Sequence, residues 1–286
     1  MKEHDLIKTI KNLTNTNLIG DDCAYLKEFG IVITQDNFVE DIHFKKEWAT
    51  PYQIGYKAAA VNISDILAAG AKPEYITVGL SHPNPDEDFI KEFYKGIKAG
   101  SYGAKIAGGD LTGGDKIFIS IAAIGSTKGR MISSRNAAKP GYKIITKGIY
   151  GQSSAGLKEL FNKGNNKELI SAHLEPRLDD KFSKAISTQI QTDYAMMDTS
   201  DGLADALFQI AKASNVTIKT DYIEGIYGAE DYHLVAAVPE DFLAKLSDYE
   251  IIGSVHEYES YYLEIGDKKY SNYDDMKLYN HFANRG

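Results

Sequence analysis

The chain has 286 residues, of which 43% are hydrophobic and 25% are charged. This composition is typical of a globular protein and excludes wholesale disorder. The 32 basic and 40 acidic side chains give a formal net charge of −8, which argues against partners that need a broad basic face, such as duplex DNA or an anionic membrane. The single cysteine, Cys23, excludes an intramolecular disulfide and suits a reducing compartment.

The N-terminal residues 1–13 have the spacing of an amphipathic helix and lack the apolar run of a signal peptide. No stretch of about 18 apolar residues occurs anywhere in the chain. We therefore expect no membrane span and a cytoplasmic protein.

The first half of the chain alternates between strand and helix patterns. Short apolar runs rich in β-branched residues predict strands, and apolar residues at helical spacing predict helices. Thr50 and Pro51 are typical of a helix start, and Gly70 is typical of a helix end. The predicted elements are strands at 31–35, 74–81 and 116–126 and helices at 51–70 and 86–102.

A break in periodicity at residues 128–141, which include Pro140 and Gly141, indicates a domain boundary. We place the two domains at 1–134 and 135–286. The second half mixes strands at 142–146, 194–197, 216–220, 232–238, 250–258 and 261–265 with helices at 153–161, 179–190 and 203–214. The predicted fold class is α+β, with two domains.

Several aspartates stand beside apolar segments, where an isolated carboxylate is costly because desolvation disfavours its charged form. They are Asp22, Asp36, Asp65, Asp110, Asp198 and Asp201. Each of them alone could cap a turn or a helix; Asp198 and Asp201, for example, could cap the helix at 203–214. Taken together they favour a site for a hard divalent cation such as Mg²⁺. The scattered histidines and the single cysteine give no zinc pattern.

Two further features suit phosphate groups. The glycine-rich segment at 108–115, GGDLTGGD, could bring backbone N–H groups close to a phosphate, or it could form a tight hairpin. It is neither a Walker A loop nor a GxGxxG fingerprint. Arg135 could pair with a phosphate through its planar guanidinium, or it could be a solvated loop charge.

Ten segments, taken in order, resemble the thiamine-monophosphate kinases, a family within the superfamily of AIR-synthase-like ATP-binding enzymes. The segments are IGDDCAYL, VITQDNFVEDIHF, GYKAAAVNISDILAAGAKP, IAGGDLTGG, SRNAAKPGY, GQSSAGL, HLEPR, MMDTSDGLADAL, GAEDYHL and YNHF. The resemblance implies direct transfer of the γ-phosphoryl group of ATP to thiamine monophosphate, with thiamine diphosphate and ADP as products. It also implies a homodimer in which the N-terminal sheet contributes to a dimer-wide β-barrel and the C-terminal domain forms an α/β sandwich.

The resemblance also implies roles for individual residues. Several Mg²⁺ ions would be held by Asp22, Thr34, Asp36, Asp65, Asp110, Asp198 and Asp201. ATP would be bound by Tyr94, Gly109, Asp110, Arg135 and Ser200, and thiamine monophosphate by His43, Glu230 and Tyr279. The ring of Tyr279 could stack on the cationic thiazolium. No general base is assigned, because the acceptor phosphate oxygen is already a nucleophile.

The chain departs from the family pattern at Gln35, Gln152 and Ala229, and the interval 202–229 is shortened. One alternative is another enzyme of the superfamily, similar to an aminoimidazole-ribotide or selenophosphate synthetase. The latter would need a reactive N-terminal cysteine, and Cys23 follows the metal motif instead. A second alternative is a non-catalytic module that binds divalent cations. It lacks an EF-hand loop and would leave Arg135 and the glycine-rich segment unexplained.

Overall fold

A computed structural model describes residues 3–276 of the chain, in which two β-sheets are flanked by helices. The helices are α1 (Glu3–Thr14), α2 (Pro51–Ala68), α3 (Glu87–Gly100), α4 (Gln152–Phe161), α5 (Lys167–Leu174), α6 (Asp180–Gln189) and α7 (Leu203–Ser214). The strands are β1 (Ala24–Leu26), β2 (Ile31–Val39), β3 (Lys72–His82), β4 (Lys105–Gly113), β5 (Phe118–Ser126), β6 (Lys143–Thr146), β7 (Ala195–Asp198), β8 (Val216–Thr220), β9 (Leu234–Val238), β10 (Glu250–Glu257), β11 (Leu263–Ile265) and β12 (Lys268–Tyr270). The predicted α+β class is confirmed. Within this described part, no helix is long and apolar enough to cross a membrane.

The first sheet has the strand order β1-β2-β5-β3-β4. Its neighbours are antiparallel except for β3 and β4, which are parallel. Along the central strand β5, buried residues such as Ile119 and Ile121 alternate with more exposed ones, as expected for a sheet with one covered face. The helix α2 covers that face and contacts β2, β3 and β5.

The structure differs from the sequence patterns at two places in this sheet. The glycine-rich segment is not a hairpin turn, because most of it belongs to the edge strand β4. Gly109 has φ +157°, and a Cβ there would overlap the carbonyl oxygen of Val78, so pairing with β3 requires glycine at this position. In addition, β2 continues past Gln35 to Val39, which places Asp36 within a strand rather than at its end. Long-range pairing with β5 extends the strand beyond its apolar run.

The second sheet has the strand order β12-β11-β8-β10-β6-β9-β7 and is antiparallel apart from the pairing of β11 with β8. The helix α7 packs on β7, β8, β9 and β11. The patterns for α7 and β8 predicted their bounds without error. The short elements β1, α5 and β12 were missed, since three to eight residues carry too little periodicity to be recognised.

The helix α2 links the two halves of the molecule. It begins with a capping box in which the Thr50 hydroxyl accepts a hydrogen bond from the Gln53 backbone N–H. Besides the first sheet, it contacts β7, α5 and α6. One hydrophobic core therefore runs through both halves and joins Ile63 of α2 to Ile186 of α6. The strands of the two sheets come from residues 24–126 and 143–270, and we propose that the domains divide at 134/135.

The packing of α3 on α2 depends on glycines at the contact. Gly55 of α2 and Gly96 and Gly100 of α3 each face backbone atoms of the other helix. A Cβ on Gly96 would overlap the carbonyl oxygen of Tyr52. The two helix backbones therefore approach more closely than alanine would allow.

We predict that Gly96→Ala lowers the free energy of unfolding by about 1–2 kcal/mol, because the steric overlap outweighs the gain of roughly 1 kcal/mol in helix propensity. Urea denaturation followed by circular dichroism measures this change. Lys98→Ala is the control, since it places alanine at an exposed position of the same helix. A Gly96→Ala variant as stable as the wild type would contradict the proposed close packing.

Candidate functional site

Three aspartates from distant parts of the chain converge at one point. Asp22 precedes β1, Asp65 lies in α2 and Asp198 ends β7. Each of these residues offers a carboxylate oxygen, and the three oxygens all lie within 4.8 Å of one another. This spacing allows one cation to contact all three residues. We call this group the aspartate cluster.

Hydrogen bonds that involve α2 support the aspartate cluster and its surroundings. The Thr34 hydroxyl donates to Asp65 Oδ2 at 2.6 Å, and the hydroxyl of Ser64, the residue before Asp65, donates to Asp198 Oδ2 at 2.6 Å. Asn62, also in α2, accepts a hydrogen bond from the backbone N–H of Asp36 at 2.9 Å. One helix therefore fixes carboxylates that belong to both halves of the chain.

The aspartates near this point destabilise one another's charged forms. Burial, together with the charge of Asp22, raises the pKa of Asp36 to about 6 and that of Asp198 to about 7. Burial and then the neighbouring aspartates raise the pKa of Asp65 well above its usual value. The folded chain thus concentrates negative charge that a bound cation would neutralise.

Arg135 is the cationic side chain paired with this cluster. Its Nη2 donates to Asp22 Oδ1 at 2.8 Å, and its backbone N–H donates to Asp21 Oδ1 at 2.8 Å. Burial alone would lower the pKa of Arg135, but Asp22, Asp205 and Asp198 together outweigh burial and raise that pKa. The Arg135 Nε is buried and has no hydrogen-bond partner among residues 3–276. The guanidinium therefore has an unused donor beside the aspartates, which suits a phosphate oxygen.

The donor set fits a hard divalent cation. It consists of carboxylate and hydroxyl oxygens, without imidazole or thiolate, and oxygen ligands are those that Mg²⁺ prefers. The neighbouring Cys23 does not offer a thiolate, because burial and the adjacent Asp65 raise the pKa of its thiol well above the usual value. Asp22, Asp65 and Asp198 would hold such an ion, with Asp36 and Thr34 beside them.

The structure places Gly109 and Asp110 away from the aspartate cluster. Both lie on the edge strand β4, and Asp110 is paired with Gly79 of β3. Because β5 and β3 lie between β2 and β4, Asp110 and Asp36 are separated by three strand spacings, or about 14 Å. Asp110 and Asp36 of one chain therefore cannot share an ion.

The loop after β7 brings Ser200 and Asp201 next to the cluster. The Ser200 carbonyl oxygen accepts a hydrogen bond from the Glu230 backbone N–H at 2.7 Å. The N-cap of α7 is Gly202, so neither Asp198 nor Asp201 occupies the capping position considered from the sequence. The helix-capping role that the sequence left open for Asp198 and Asp201 is therefore not observed.

The other predicted site residues are spread around this centre. Tyr94 lies in α3, where its ring packs edge-on against Phe93 at a centroid distance of 5.4 Å. His43 accepts a hydrogen bond from the Val39 backbone N–H at 3.1 Å and is close enough to affect the pKa of Glu230. Tyr279 lies outside the described residues.

Sequence reasoning missed the polar residues that support the site. Ser64, Asn62 and Lys57 all lie in α2, and each is buried with 1–2% exposure. Lys57 lies 3.3 Å from Glu230. Lys57 stands in the alanine-rich stretch GYKAAAV, and a lysine is almost never fully buried unless it is paired. Its position in the sequence therefore indicates a buried ion pair.

Comparisons with known proteins agree with this geometry. Residues 20–127 match the family described as AIR synthase related protein, N-terminal domain. The fold and the aspartate cluster thus define a member of the AIR-synthase-like class. The chain is 31% identical to the thiamine-monophosphate kinase of Prochlorococcus marinus, over 84% of this chain and 83% of that protein. It is 36% identical to the thiamine-monophosphate kinase of Bacillus subtilis, over 77% and 73% respectively.

Solved structures give the same relationship. The chain superposes with a TM-score of 0.87 and 27% identity on a structure described as AaThiL complexed with AMPPCP and TMP, covering 98% of this chain and 97% of that one. The thiamine monophosphate kinase of Aquifex aeolicus gives a TM-score of 0.81 and 28% identity, over 94% and 99%. The chain belongs to the thiamine-monophosphate kinase family.

We predict that Asp198→Asn stabilises the metal-free protein more at pH 8 than at pH 5. The pKa of Asp198 is about 7 in the folded state, against about 3.9 in an unfolded chain. The folded state therefore binds the extra proton between these values, and wild-type stability falls as the pH rises through them. Asparagine removes this loss, on the order of 2 kcal/mol between pH 5 and pH 8.

Urea denaturation in the presence of a chelator, at both pH values, measures this difference. The matched control is Asp267→Asn, which removes a charge from the exposed turn between β11 and β12. Equal stability changes for Asp198→Asn at pH 5 and pH 8 would contradict the electrostatic account of the cluster.

Proposed function

We propose that the chain transfers the γ-phosphoryl group of ATP directly to the phosphate of thiamine monophosphate and releases thiamine diphosphate and ADP. The observation that carries this proposal is the convergence of Asp22, Asp65 and Asp198 within 4.8 Å, beside Arg135. Donor and acceptor are both polyanions, so their approach requires positive charge at a fixed place. The names of the relatives and the neighbouring structure described with AMPPCP and TMP support the same reaction.

Magnesium is the cation that we assign to this centre. Asp22, Asp65 and Asp198 would hold it, and Thr34, Asp36 and Asp201 would complete the surroundings of this and further ions, as the family resemblance implies. When bound, Mg²⁺ neutralises phosphate oxygens and aligns the donor with the acceptor. Asp110, with Gly109 beside it on β4, would serve a separate ion at the nucleotide phosphates.

The protein's own residues bind and orient the two substrates. Arg135 offers its free Nε–H to a nucleotide phosphate oxygen, and Ser200 lies on the loop between Asp198 and Asp201. Tyr94, exposed in part on α3, would lie near the adenine. No side chain needs to act as a general base, because the acceptor phosphate oxygen already carries the electron pair that forms the new bond.

Recognition of thiamine monophosphate is assigned to Glu230 and His43, together with Tyr279. Glu230 and His43 lie close enough to interact electrostatically, although 187 residues separate them in the chain. The carboxylate of Glu230 has the charge to meet a cationic substrate, and an aromatic ring such as that of Tyr279 can stack on a thiazolium. These roles follow from the family resemblance and from the proximity of Glu230 and His43.

A second copy of the chain is the partner that we propose for the edge of the first sheet. Every residue of β4 is exposed, including the apolar Ile106 and Leu111. Exposed edge strands pair readily with other strands, and pairing here would join two first sheets into a dimer-wide barrel. A cytoplasmic location suits an ATP-consuming enzyme whose single cysteine, Cys23, is a buried free thiol.

We predict that Asp65→Asn lowers kcat for thiamine diphosphate formation by at least about 10²–10³-fold, because it removes a charge that positions the phosphates while keeping the side-chain shape. Chromatography of reactions with ATP, Mg²⁺ and thiamine monophosphate measures the product. Asp267→Asn, which removes an exposed charge, is expected to retain full activity.

Wild-type protein in the same assay separates the proposed function from its alternatives. ATP turnover only with another acceptor would favour a different enzyme of the superfamily, and calcium binding without nucleotide binding would favour a non-catalytic module. Full activity of Asp65→Asn would contradict the assignment of the aspartate cluster.

We predict that Leu111→Lys converts the protein to a monomer, because the lysine places a charge on an apolar position of the exposed edge. Size-exclusion chromatography with light scattering measures the mass. Ile149→Lys is the matched control, since Ile149 is similarly exposed but lies in a loop outside β4. A wild-type monomer, or a Leu111→Lys dimer, would show that copies do not pair at this edge.

A further inference from the structure

The interior of α2 holds a charged residue that the reaction described above does not use. Lys57 is 2% exposed and stands before the buried alanines 58–60. A buried ammonium is costly unless it is paired. The Lys57 Nζ lies 3.3 Å from Glu230 Oε1 and 3.5 Å from His173 Nε2. This contact joins α2, in the first half of the chain, to the loop before β9.

His173, in α5, holds the other oxygen of the same carboxylate. Its Nδ1 lies 3.5 Å from Glu230 Oε2 and 3.0 Å from Ser153 Oγ. Burial, followed by the charge of Lys57, lowers the pKa of His173 to about 4, so its ring is neutral at pH 7. An ammonium has no lone pair, so Nε2 accepts from Lys57 and the ring proton resides on Nδ1. The imidazole therefore donates toward Ser153 and Glu230.

The backbone around Glu230 is fixed as well. Its N–H donates to the Ser200 carbonyl oxygen, and its φ of +64° is one that a non-glycine residue keeps only when its surroundings impose it. The next residue, Asp231, accepts hydrogen bonds from the backbone N–H groups of Gly151 at 2.6 Å and Ser153 at 2.9 Å. The loop that carries Glu230 is thus tied to α4 on one side and to the Ser200 loop on the other.

The Glu230 side chain remains accessible on one side. It is 27% exposed, whereas the Lys57 side chain behind it is 3% exposed. The titratable groups that face it are Lys57 from α2, His173 from α5, His43 from the loop after β2, and the neighbouring Tyr232. Burial alone would raise the pKa of Glu230, but Lys57, His173 and His43 together outweigh burial and hold that pKa below its usual value. The carboxylate therefore stays ionised, and its exposed side can contact a substrate.

We propose that Lys57 is a positioning residue for the recognition of thiamine monophosphate: its buried ammonium, with the His173 imidazole, holds the Glu230 carboxylate in the orientation in which it meets the substrate. This inference rests on the proposed function, which places Glu230 against thiamine monophosphate. Lys57 and Asp65 are eight residues apart, about 12 Å along the helix axis. Loss of Lys57 should therefore affect thiamine monophosphate binding more than ATP binding or phosphoryl transfer.

The test compares Lys57→Met, which removes the charge and keeps an unbranched side chain, with Lys57→Arg, which keeps the charge. Lys57→Met is expected to raise KM for thiamine monophosphate about 10-fold or more, because Glu230 loses a charged hydrogen-bond partner. KM for ATP is expected to change by less than about 2-fold, because Lys57 lies away from the aspartate cluster. Lys57→Arg should recover part of the loss, and Lys184→Met, on the exposed side of α6, should show none.

A pH profile and a double variant separate positioning from simple structural support. Without Lys57, burial raises the pKa of Glu230, so KM of Lys57→Met for thiamine monophosphate should rise more steeply than that of the wild type as the pH falls from 8 to 5.5. In a Glu230→Gln background, Lys57→Met should add little further effect, because the pair acts as a unit. Equal increases in both KM values, or a pH profile parallel to that of the wild type, would overturn the inference.

If Lys57→Met does not fold, His173→Gln decides the question. It leaves Lys57 and Glu230 in place and is expected to raise KM for thiamine monophosphate about 3-fold through the lost imidazole contact; an unchanged KM overturns the inference. Wild-type protein that forms no thiamine diphosphate would overturn the proposed function, and this inference with it. An active wild type with an unchanged Lys57→Met variant would overturn the inference alone.

Discussion

Repulsion among aspartates that the fold forces together is the constraint on which this structure depends. Asp22, Asp65 and Asp198 are brought within 4.8 Å by segments that are far apart in sequence, and their neighbourhood raises the pKa of Asp198 to about 7. Hydrophobic packing of α2 against both halves of the chain supplies the free energy that opposes this repulsion. Such an arrangement favours the binding of a cation. Without the cation, the repulsion lowers the stability of the fold at the site that function requires.

The helix α2 organises both ends of the site. Near its C-terminal end, Asp65 belongs to the aspartate cluster and Ser64 supports it, and two turns earlier Lys57 faces Glu230, the carboxylate that we propose for substrate recognition. The glycine contacts between α2 and α3 fix the helix against its neighbour. The proposed metal site and the proposed substrate contact thus share one helix, which keeps the distance between them constant.

Long elements and the chemistry of single residues could be predicted from the sequence, whereas contacts between distant segments could not. The bounds of α7 and the capping of α2 follow from local pattern and cap residues. Asp65 was recognisable as an aspartate within an apolar helix. By contrast, the glycine-rich β4 was not predicted as a strand, because its extended form depends on pairing with β3. The pairs Arg135–Asp22 and Lys57–Glu230 join residues more than 100 positions apart, and no local pattern encodes them.

The central claim is that the aspartate cluster holds the cation that brings two anionic substrates together. The most direct measurement is anomalous scattering from Mn²⁺, used in place of Mg²⁺, in crystals grown with a non-hydrolysable ATP analogue. The account predicts an anomalous peak bounded by Asp22, Asp65 and Asp198, with analogue phosphate oxygens completing its coordination. Ordered analogue with Mn²⁺ bound only elsewhere would contradict it.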